Sequence, residues 1–440
     1  MELFTQKYRR YVLAMLFFAY TLNFLDRQLM SILVEPIKLE FQLTDAQMGI
    51  LTGIAFAFFY TILGFPMARI ADRGNRVTLI SVCLFIWSLF TALTGLVTGF
   101  WQLLLTRIFV GIGEAGCTPP AYSLISDYYP AEKRGRALSI YSLGIPFGIF
   151  CGLLIGGIVA AKYGWRAAFF TAGLPGVIMA FVIKKTIRSL PRGYADNLAQ
   201  GEPQKEVKLE QSSAFKTIGT ILKTRTFLYM ALGASFQAMV AYGVNTFLPS
   251  FLMREYGIGI AEVGVLLAFI YMLGGGIGMY FGGALADRLS ISTGNTAYYI
   301  RIPIVATLLL LPSVLMIAFS SKLAYVFIAI FFANIFSVLN WGPTAALSQR
   351  LTRLNERAMG VAILFFLANF IGLGFGPVIV GFLSELYNGM FIGTGMSASL
   401  ADAEGLRYAF YSTFSISLIA CFFYFLSSRH LKKDLQTFSS

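Results

Sequence analysis

Four ionisable side chains interrupt stretches of sequence that are otherwise apolar. Asp26 and Arg27 follow the uncharged run 11–22, and Arg107 and Glu114 lie in a later apolar run. A charge at membrane depth is costly unless it faces protein or water, so these residues are functional candidates. A carboxyl group in such a setting can bind and release a proton, and a guanidinium group can hold an anionic part of a substrate.

The first acid and base are adjacent in the chain, so they do not face each other along a helix. Neighbours point about 100° apart, whereas residues that pair lie three or four positions apart. We therefore expect Asp26 and Arg27 each to have another partner. In one interpretation Asp26 or Glu114 binds a proton, while Arg27 pairs with an ionised carboxylate or holds an anionic headgroup. In the other, the charges form static salt bridges between helices, and Arg107 bonds to Glu114 or to helix-end carbonyls.

A moving guanidinium would give this group of charges a means of coupling. Burial raises the pKa of a carboxyl group and a nearby guanidinium lowers it. Movement of Arg27 toward or away from a carboxylate would therefore switch the proton affinity of that carboxylate. This provides a physical route from substrate binding to proton release.

Histidine and cysteine usage narrows the possible chemistry. The single histidine, His430, lies in the C-terminal tail, so carboxylates must carry any proton chemistry in the apolar segments. The cysteines show no CxxC spacing, which argues against a disulfide framework or a zinc site; they are Cys83, Cys117, Cys151 and Cys421. No GxxxxGK[ST] motif is present. We predict that the chain is not an enzyme and uses neither a metal nor a cofactor.

The composition is that of a membrane protein. Hydrophobic residues make up 57% of the 440 residues and charged residues 12%, whereas a soluble domain is about 25% charged. Apolar windows of about 20 residues recur, and each is long enough to cross a hydrocarbon core about 30 Å thick as a helix. The twelve windows are centred near Ala19, Ala57, Phe90, Gly111, Gly148, Val177, Phe236, Leu273, Leu309, Phe332, Phe370 and Ile419. The fold predicted is an all-α membrane protein with twelve transmembrane helices.

Basic residues are concentrated in alternate loops. Examples are Arg73 after the second window, Lys133 after the fourth and Lys184 after the sixth. The positive-inside rule then puts both termini in the cytoplasm of a multi-pass protein of the cell (inner) membrane. The first window has no small-residue cleavage site, so we expect it to be retained as a helix. Because the positive charges are sorted by loop and form no single stripe, the net charge of +13 does not indicate nucleic-acid binding.

Internal repetition divides the chain into two halves. Residues 187–224 include the only long hydrophilic stretch and are predicted to be a cytoplasmic linker. It separates an N-terminal six-helix bundle, 1–186, from a C-terminal bundle with a cytoplasmic tail, 225–440. The sequence ARIADR at 68–73 is echoed by GALADR at 283–288, at the same place in each half. Two pseudo-symmetric six-helix bundles are a transporter layout.

At these residues the chain resembles the major facilitator superfamily, and the likeness covers nearly all of it. The loop 68–76 is similar to the superfamily's signature after the second helix, with Ala68 in place of the usual glycine. Within the superfamily, NFLDRQ at 23–28 together with GIGEA at 111–115 resembles the Spinster family of lysolipid and sphingolipid transporters. Related organic-anion transporters share parts of both motifs.

The resemblance implies alternation between inward-open and outward-open states and, for a bacterial-type member, proton coupling. Helices one and four line the central cavity of that fold, so Asp26 and Glu114 are the predicted proton-coupling residues. The substrate implied is an amphiphilic lipid or an organic anion, which fits windows that are mostly apolar with sparse polar groups. Other partners expected are protons and membrane lipids, and we expect a monomer. The predicted substrate-binding residues are Arg27, Arg107, Tyr122, Tyr60, Asn245 and Asn340.

A second group of charges lies at predicted cytoplasmic helix ends, where a solvated loop is the plain interpretation. An acid at one helix end can also pair with bases across the boundary between the halves. We predict that such pairs latch the outward-open state and break when the cytoplasmic side opens. The predicted gating residues are Asp72, Arg73, Arg76, Arg134, Arg136, Asp287 and Arg288.

Three rival functions remain open at this point. The first is a proton-coupled carrier of small carboxylates or drugs with the same fold. The second is a passive lipid translocation path, which would be insensitive to loss of Asp26 and Glu114. The third is a membrane enzyme or lipid sensor on a transporter scaffold, and an enzyme would need a nucleophile or metal cluster that the sequence does not offer.

Overall fold

The computed structural model describes residues 5–195, 214–353 and 356–439, and these residues form helices without any strand. The helices before the linker are α1 (Gln6–Ile32), α2 (Val34–Phe41), α3 (Asp45–Thr52), α4 (Ile54–Arg73), α5 (Arg76–Thr94), α6 (Phe100–Ala115), α7 (Thr118–Tyr128), α8 (Ala131–Ser142), α9 (Gly144–Tyr163) and α10 (Trp165–Thr186). After it come α11 (Ala214–Lys223), α12 (Arg225–Tyr256), α13 (Ile260–Thr293), α14 (Tyr298–Phe319), α15 (Leu323–Val338), α16 (Trp341–Arg350), α17 (Arg357–Leu367), a π-helical segment (Ala368–Leu373), α18 (Gly374–Gly393) and α19 (Ala398–Ser439).

Ten helical segments of the described residues are long and apolar enough to cross a membrane. They are Asp45–Arg73, Arg76–Thr94, Ala131–Tyr163, Trp165–Thr186, Arg225–Tyr256, Ile260–Thr293, Tyr298–Phe319, Leu323–Arg350, Arg357–Gly393 and Ala398–Gln436. The two predicted windows outside this set are α1 and the interrupted helix α6–α7. These two elements carry the four ionisable residues of the apolar segments, Asp26, Arg27, Arg107 and Glu114. The chain is thus a multi-pass membrane protein, and the count of twelve crossings stays a prediction.

Local sequence explains where several helices begin. Thr44 and Gln47 form a reciprocal capping box at the start of α3, each side chain accepting a hydrogen bond from the backbone N–H of the other. Asn75 caps α5 by accepting a hydrogen bond from the backbone N–H of Thr78 at 3.0 Å. Both caps satisfy backbone donors that a helix start leaves free.

Two compact units account for the described residues. The first contains the described residues of Met1–Phe41, Ala55–Glu210 and Ile260–Ala268. The second contains those of Gln42–Ile54, Gln211–Gly259 and Phe269–Ser440. The second unit therefore contains all of α3 and the first residue of α4, and the first unit contains the start of α13. The predicted division into 1–186, 187–224 and 225–440 stays a prediction.

In the first unit, α1 lies against α9 along a stripe of glycines. A Cβ atom at Gly148 would lie 2.8 Å from Cβ of Phe24, and one at Gly152 would lie 2.7 Å from the carbonyl oxygen of Leu25. No side chain larger than hydrogen fits at these positions, so the backbones approach closely, as in small-residue packing between membrane helices. The glycine stripe holds the turn of α1 that carries Asp26 against a neighbouring helix.

In the second unit, α12 and α19 pack together around a buried neutral hydrogen-bond network. Gln237 Oε1 accepts hydrogen bonds from Thr307 at 3.0 Å and from Tyr424 at 3.1 Å. The Tyr424 hydroxyl in turn accepts one from Asn340 Nδ2 at 3.1 Å. All four side chains are buried. Such a network fixes the packing of a core because each member needs its partners.

Candidate functional site

The turn of α1 around residue 26 directs its acid and its base to two different positions on α6. Arg27 Nε donates a hydrogen bond to Glu114 Oε2 at 2.6 Å. Arg107 Nη1 lies 3.6 Å from Asp26 Oδ2. The predicted cluster of two acids and two bases therefore exists. Each residue of α1 has its partner on α6, as expected for neighbours that point in different directions.

The pair of Arg27 and Glu114 is buried unequally. The Glu114 side chain is 0% exposed and the Arg27 side chain is 15% exposed. A hydrogen bond of this length between ionised groups is of the strong, charge-assisted kind. The guanidinium is therefore the more accessible partner of this pair.

Three aromatic rings face the Arg27 guanidinium. Its central carbon lies 4.3 Å from the ring centre of Tyr60, 4.9 Å from that of Phe56 and 5.0 Å from that of Phe24. Cation–π contacts of this kind contribute about 0.5–2 kcal/mol each, more when the charge is desolvated. The guanidinium is therefore held by one carboxylate and a largely apolar set of rings.

Phe56 contacts both bases of the cluster. The Arg107 guanidinium carbon lies 5.3 Å from the centre of the Phe56 ring, on which Arg27 also lies. The side chains of Arg107 and Asp26 are each 3% exposed, so this pair is more deeply buried than the Arg27 pair. Removing one partner of a buried ion pair costs about 3–5 kcal/mol, because the other is left uncompensated.

A glycine on α6 allows this arrangement. A Cβ atom at Gly111 would lie 2.7 Å from the carbonyl oxygen of Phe56 on α4. Only glycine lets α6 approach α4 so closely, and the approach brings Arg107 next to the Phe56 ring. The glycines of the GIGEA motif thus set the position of the charges as well as the packing.

The remaining predicted substrate residues fall into different surroundings. Tyr60 is part of the ring set around Arg27. Tyr122 is 39% exposed and lies edge-on against Tyr141. Asn340 is buried in the neutral network of the second unit, where it donates to Tyr424.

Asn245 lines a small cavity within the second unit. Its Oδ1 accepts a hydrogen bond from Tyr271 at 2.9 Å. The cavity lies between α12, α13, α14 and α15, and its walls are mostly aliphatic. The polar residues that line it are Asn245, Tyr271, Asn334 and Ser337.

The predicted gating residues of the first unit separate into buried and exposed members. Arg76 is buried; it is paired with Asp127 and donates hydrogen bonds to Ser123 Oγ at 2.8 Å and to the carbonyl of Leu190 at 2.6 Å. Arg134 donates to the carbonyl of Ser126 at 3.0 Å. The exposed members are Asp72, Arg73 and Arg136, which have no ion pair with other described residues.

In the second unit, Asp287 and Arg288 are exposed. Asp287 accepts a hydrogen bond from the Tyr299 hydroxyl at 2.5 Å. The same hydroxyl accepts one from Arg350 at 3.0 Å. Tyr299 therefore links Asp287, the acid of the repeated motif, to Arg350.

Sequence reasoning missed a buried ion pair of the second unit. Both terminal nitrogens of Arg254 donate to the carboxylate of Asp45 at 2.8 Å, and Ser384 donates to Asp45 Oδ2 at 2.6 Å. Arg254 Nε also lies 3.3 Å from Asp402. Each residue occurs singly near a helix end, so nothing in the local sequence distinguished it from a loop charge. The missed ring contact of Phe56 likewise depends on tertiary packing.

Comparisons with known proteins match most of the chain. The family model described as Major Facilitator Superfamily matches residues 16–377. A solved structure, of a bacterial homologue of the human lysosomal transporter Spinster in an inward-facing and unoccupied conformation, is 33% identical with a TM-score of 0.88. That alignment covers 98% of this chain and 99% of the other.

Two curated relatives are similar along most of their length. An MFS-type efflux pump of Mycolicibacterium smegmatis is 32% identical over 424 residues, covering 94% of this chain and 91% of the relative. A hexuronate transporter of Bacillus subtilis is 27% identical over 412 residues, covering 90% of this chain and 94% of the relative. The name of the first relative states export without a cargo, and the name of the second states a hexuronate cargo.

Proposed function

Because the chain belongs to the Major Facilitator Superfamily, we propose that it carries an amphiphilic organic anion of the lysolipid or sphingolipid class across the membrane by alternating access, coupled to protons. The observation that carries this proposal is the setting of Arg27. A guanidinium held by one buried carboxylate and three aromatic rings offers a single positive pole in an apolar surround. An amphiphile with an anionic headgroup complements such a site in charge and in polarity.

The proposed coupling follows from the balance of charge in the cluster. With Asp26 and Glu114 ionised, the two acids and two bases cancel. An anionic headgroup that binds Arg27 competes with Glu114 for the guanidinium, and Glu114 then compensates by taking a proton. Asp26, paired more loosely with Arg107, is the second proposed proton-binding group. In this scheme Arg107 contacts the substrate or holds Asp26, and Tyr60 and Tyr122 supply hydroxyls.

The second unit supports the same class of substrate. Its cavity has mostly aliphatic walls, with Asn245 and Tyr271 as polar groups. We propose that this unit contributes shape and neutral hydrogen bonds, including those of Asn340, and that charge recognition belongs to the first unit. The lipid class of the proposed cargo comes from the resemblance to the Spinster family, of which a bacterial homologue of solved structure is similar to this chain.

For the helix-end charges we propose a gating role and a cytoplasmic location, as the loop charges favour. The buried pair of Arg76 and Asp127 would then belong to the fixed part of the first unit. The exposed residues would be those that exchange partners; they are Asp72, Arg73, Arg136 and Arg288, with Arg134 beside them.

A second candidate function is transport of a small hydrophilic carboxylate or a drug. The relatives named as a hexuronate transporter and as an efflux pump favour it. A hexuronate carries several hydroxyls and would need many hydrogen-bonding groups near Arg27, where the described neighbours are one carboxylate and three rings. This difference in chemistry separates the two candidates.

The test compares cargoes in proteoliposomes. Uptake of a fluorescent lysolipid, of a hexuronate and of a cationic dye is measured with and without a proton gradient. We expect gradient-driven movement of the lysolipid. In Asp26→Asn and Glu114→Gln we expect the pH dependence of uptake to flatten, because the proton-binding group is gone.

The matched control is Glu132→Gln, which neutralises an exposed acid at the start of α8 and should leave the pH profile unchanged. Gradient-driven uptake of the hexuronate alone would overturn the proposed cargo. Lysolipid movement that ignores both the gradient and the two carboxylate substitutions would indicate a passive lipid path instead.

A further inference from the structure

Asn23 is a buried polar residue of α1 for which the proposed cycle gives no role. It precedes Asp26 by three positions and Arg27 by four, so it lies on the same side of the helix as both. Asn23 is 1% exposed. Neither its amide nitrogen nor its amide oxygen has a hydrogen-bond partner among the described residues. A buried amide is costly unless its donor and acceptor are satisfied.

Its neighbours in the charge cluster carry further unsatisfied atoms. Both carboxylate oxygens of Asp26 lack a hydrogen bond from the described residues, as do Arg107 Nε and Glu114 Oε1. These atoms belong to the two ion pairs between α1 and α6, and Asn23 lies one helical turn before the Asp26 and Arg27 members of those pairs. A small polar site of this kind suits an internal water, which makes about three hydrogen bonds to buried polar groups.

We propose that Asn23 is a positioning residue of the proton site: its carboxamide holds the water through which Asp26 gains and loses its proton. This inference rests on the proposed function. A carboxamide donates through Nδ2 and accepts through Oδ1, so it can fix both the position and the orientation of a water. A proton that reaches this water leaves it again for an Asp26 oxygen, and the water stays neutral. Release runs through the same steps in reverse.

The charged groups that act on Asp26 come from two helices. They are Arg107 and Glu114 of α6 and Arg27 of α1 itself, and the hydroxyl of Thr91 on α5, which donates to the carbonyl of Trp87, is a polar neighbour. The remaining helices that pack on α1 are α2, α7, α8, α9 and α10. Their ionisable residues are Glu35, Lys38 and Glu40 on α2; Tyr122, Asp127 and Tyr128 on α7; Glu132, Lys133, Arg134, Arg136 and Tyr141 on α8; Cys151, Lys162 and Tyr163 on α9; and Arg166, Lys184 and Lys185 on α10. Cys117 precedes α7, and Tyr60 of α4 faces the Arg27 guanidinium. Asn23 adds a dipole to this set without adding a charge. It can therefore orient a water without altering the charge balance.

The test separates positioning from packing. Asn23→Leu keeps the branching and the number of side-chain heavy atoms but removes the amide, and Asn23→Ser keeps a group that can both donate and accept. In proteoliposomes we expect the gradient-driven rate in Asn23→Leu to fall about tenfold, the scale on which residues behind a functional group act, and its pH profile to shift. Lysolipid affinity should stay within about twofold, because Arg27 is untouched. Asn23→Ser should regain most of the rate and the wild-type pH profile.

The control on the same helix is Thr21→Val. The Thr21 hydroxyl bonds to the carbonyl of Phe17 in its own helix, so its loss should leave the pH profile in place. In an Asp26→Asn background, Asn23→Leu should have no further effect, because both substitutions act on one proton path. If Asn23→Leu fails to fold, Asn23→Ala takes its place in the comparison with serine.

The outcomes distinguish this inference from the function on which it rests. If Asp26→Asn flattens the pH dependence while Asn23→Leu and Asn23→Ala keep the wild-type profile, the proton site stands and the role of Asn23 is wrong. Equal losses in the serine and leucine variants would also overturn the role, since only packing would then matter. A wild-type profile in Asp26→Asn would remove the proton site itself and this inference with it.

Discussion

At the scale of single residues, the site depends on the shape of a guanidinium. Arg27 donates from Nε to Glu114 and presents its plane to Phe24, Phe56 and Tyr60. A lysine keeps the positive charge but has no planar group to lie against the rings and no fork of donors. Charge alone therefore does not reproduce the site.

We predict that Arg27→Lys weakens lysolipid binding about tenfold, which corresponds to about 1.4 kcal/mol, the range of one or two lost cation–π contacts. Binding by isothermal titration in detergent measures this. Arg225→Lys, at an exposed position at the start of α12, is the matched control and should bind like the wild type. Wild-type affinity in Arg27→Lys would show that the planar contacts do not contribute.

Residue types and spacing predicted part of the site but not its pairings. Because Asp26 and Arg27 are adjacent, each was expected to have its partner on another helix. Both partners lie on α6, which carries Arg107 and Glu114 seven positions apart. The pairing of Asp45 with Arg254, separated by 209 positions, depends on which helix ends meet. No local pattern encodes that meeting, because a single charge near a helix end has the same sequence context whether it is buried or solvated.

At the scale of helices, the glycines of α9 determine how α1 is held. Gly148 and Gly152 leave no space for a Cβ atom beside Phe24 and Leu25. The glycines of α9 recur every four residues in the sequence, which places them on one face of a helix. The grouping of 42–54 with the second unit and of 260–268 with the first was not readable from the sequence, because it depends on contacts between residues that are distant in the chain.

We predict that Gly152→Leu separates α1 from α9 and lowers thermal stability, with overpacking costing at least about 1–3 kcal/mol. The melting temperature in detergent, followed by tryptophan fluorescence, reports this. Gly135→Ala on α8 is the control, because a Cβ atom there meets nothing within 4 Å. An unchanged melting temperature for Gly152→Leu would mean that α9 can shift away without loss.

At the scale of the whole molecule, residues 187–195, which lead into the predicted linker, are hydrogen-bonded to the rest of the first unit. Arg76 donates to the carbonyl of Leu190, and the backbone N–H of Gly193 donates to Asp127 Oδ1 at 2.8 Å. Arg192 donates to the carbonyl of Ala71 at 2.8 Å. α10 ends at Thr186, next to the boundary that composition predicts, but Leu190, Arg192 and Gly193 still bond to other residues of the first unit. Two of these contacts involve the buried pair of Arg76 and Asp127, which composition does not reveal.

We predict that Asp127→Asn releases this segment. The loss of a buried carboxylate leaves Arg76 uncompensated, and removing one partner of such a pair costs about 3–5 kcal/mol. Limited proteolysis near Arg188 and Arg192 should become faster, with the fragments identified by mass spectrometry. In the control Asp72→Asn, an exposed acid, cleavage should keep the wild-type rate, and equal rates in all three proteins would show that this pair does not hold the segment.

The ring of Phe56 has a consequence for cooperativity. One quadrupole faces two cations, Arg27 at 4.9 Å and Arg107 at 5.3 Å. When one guanidinium moves away, the ring interacts with the other alone and attracts it more strongly. By reciprocity, a change in the contact of Arg107 with the ring alters the contact of Arg27. In the proposed cycle, a small rotation of this benzyl group would pass a change at Arg27 on to Arg107 while every helix axis stays where it is.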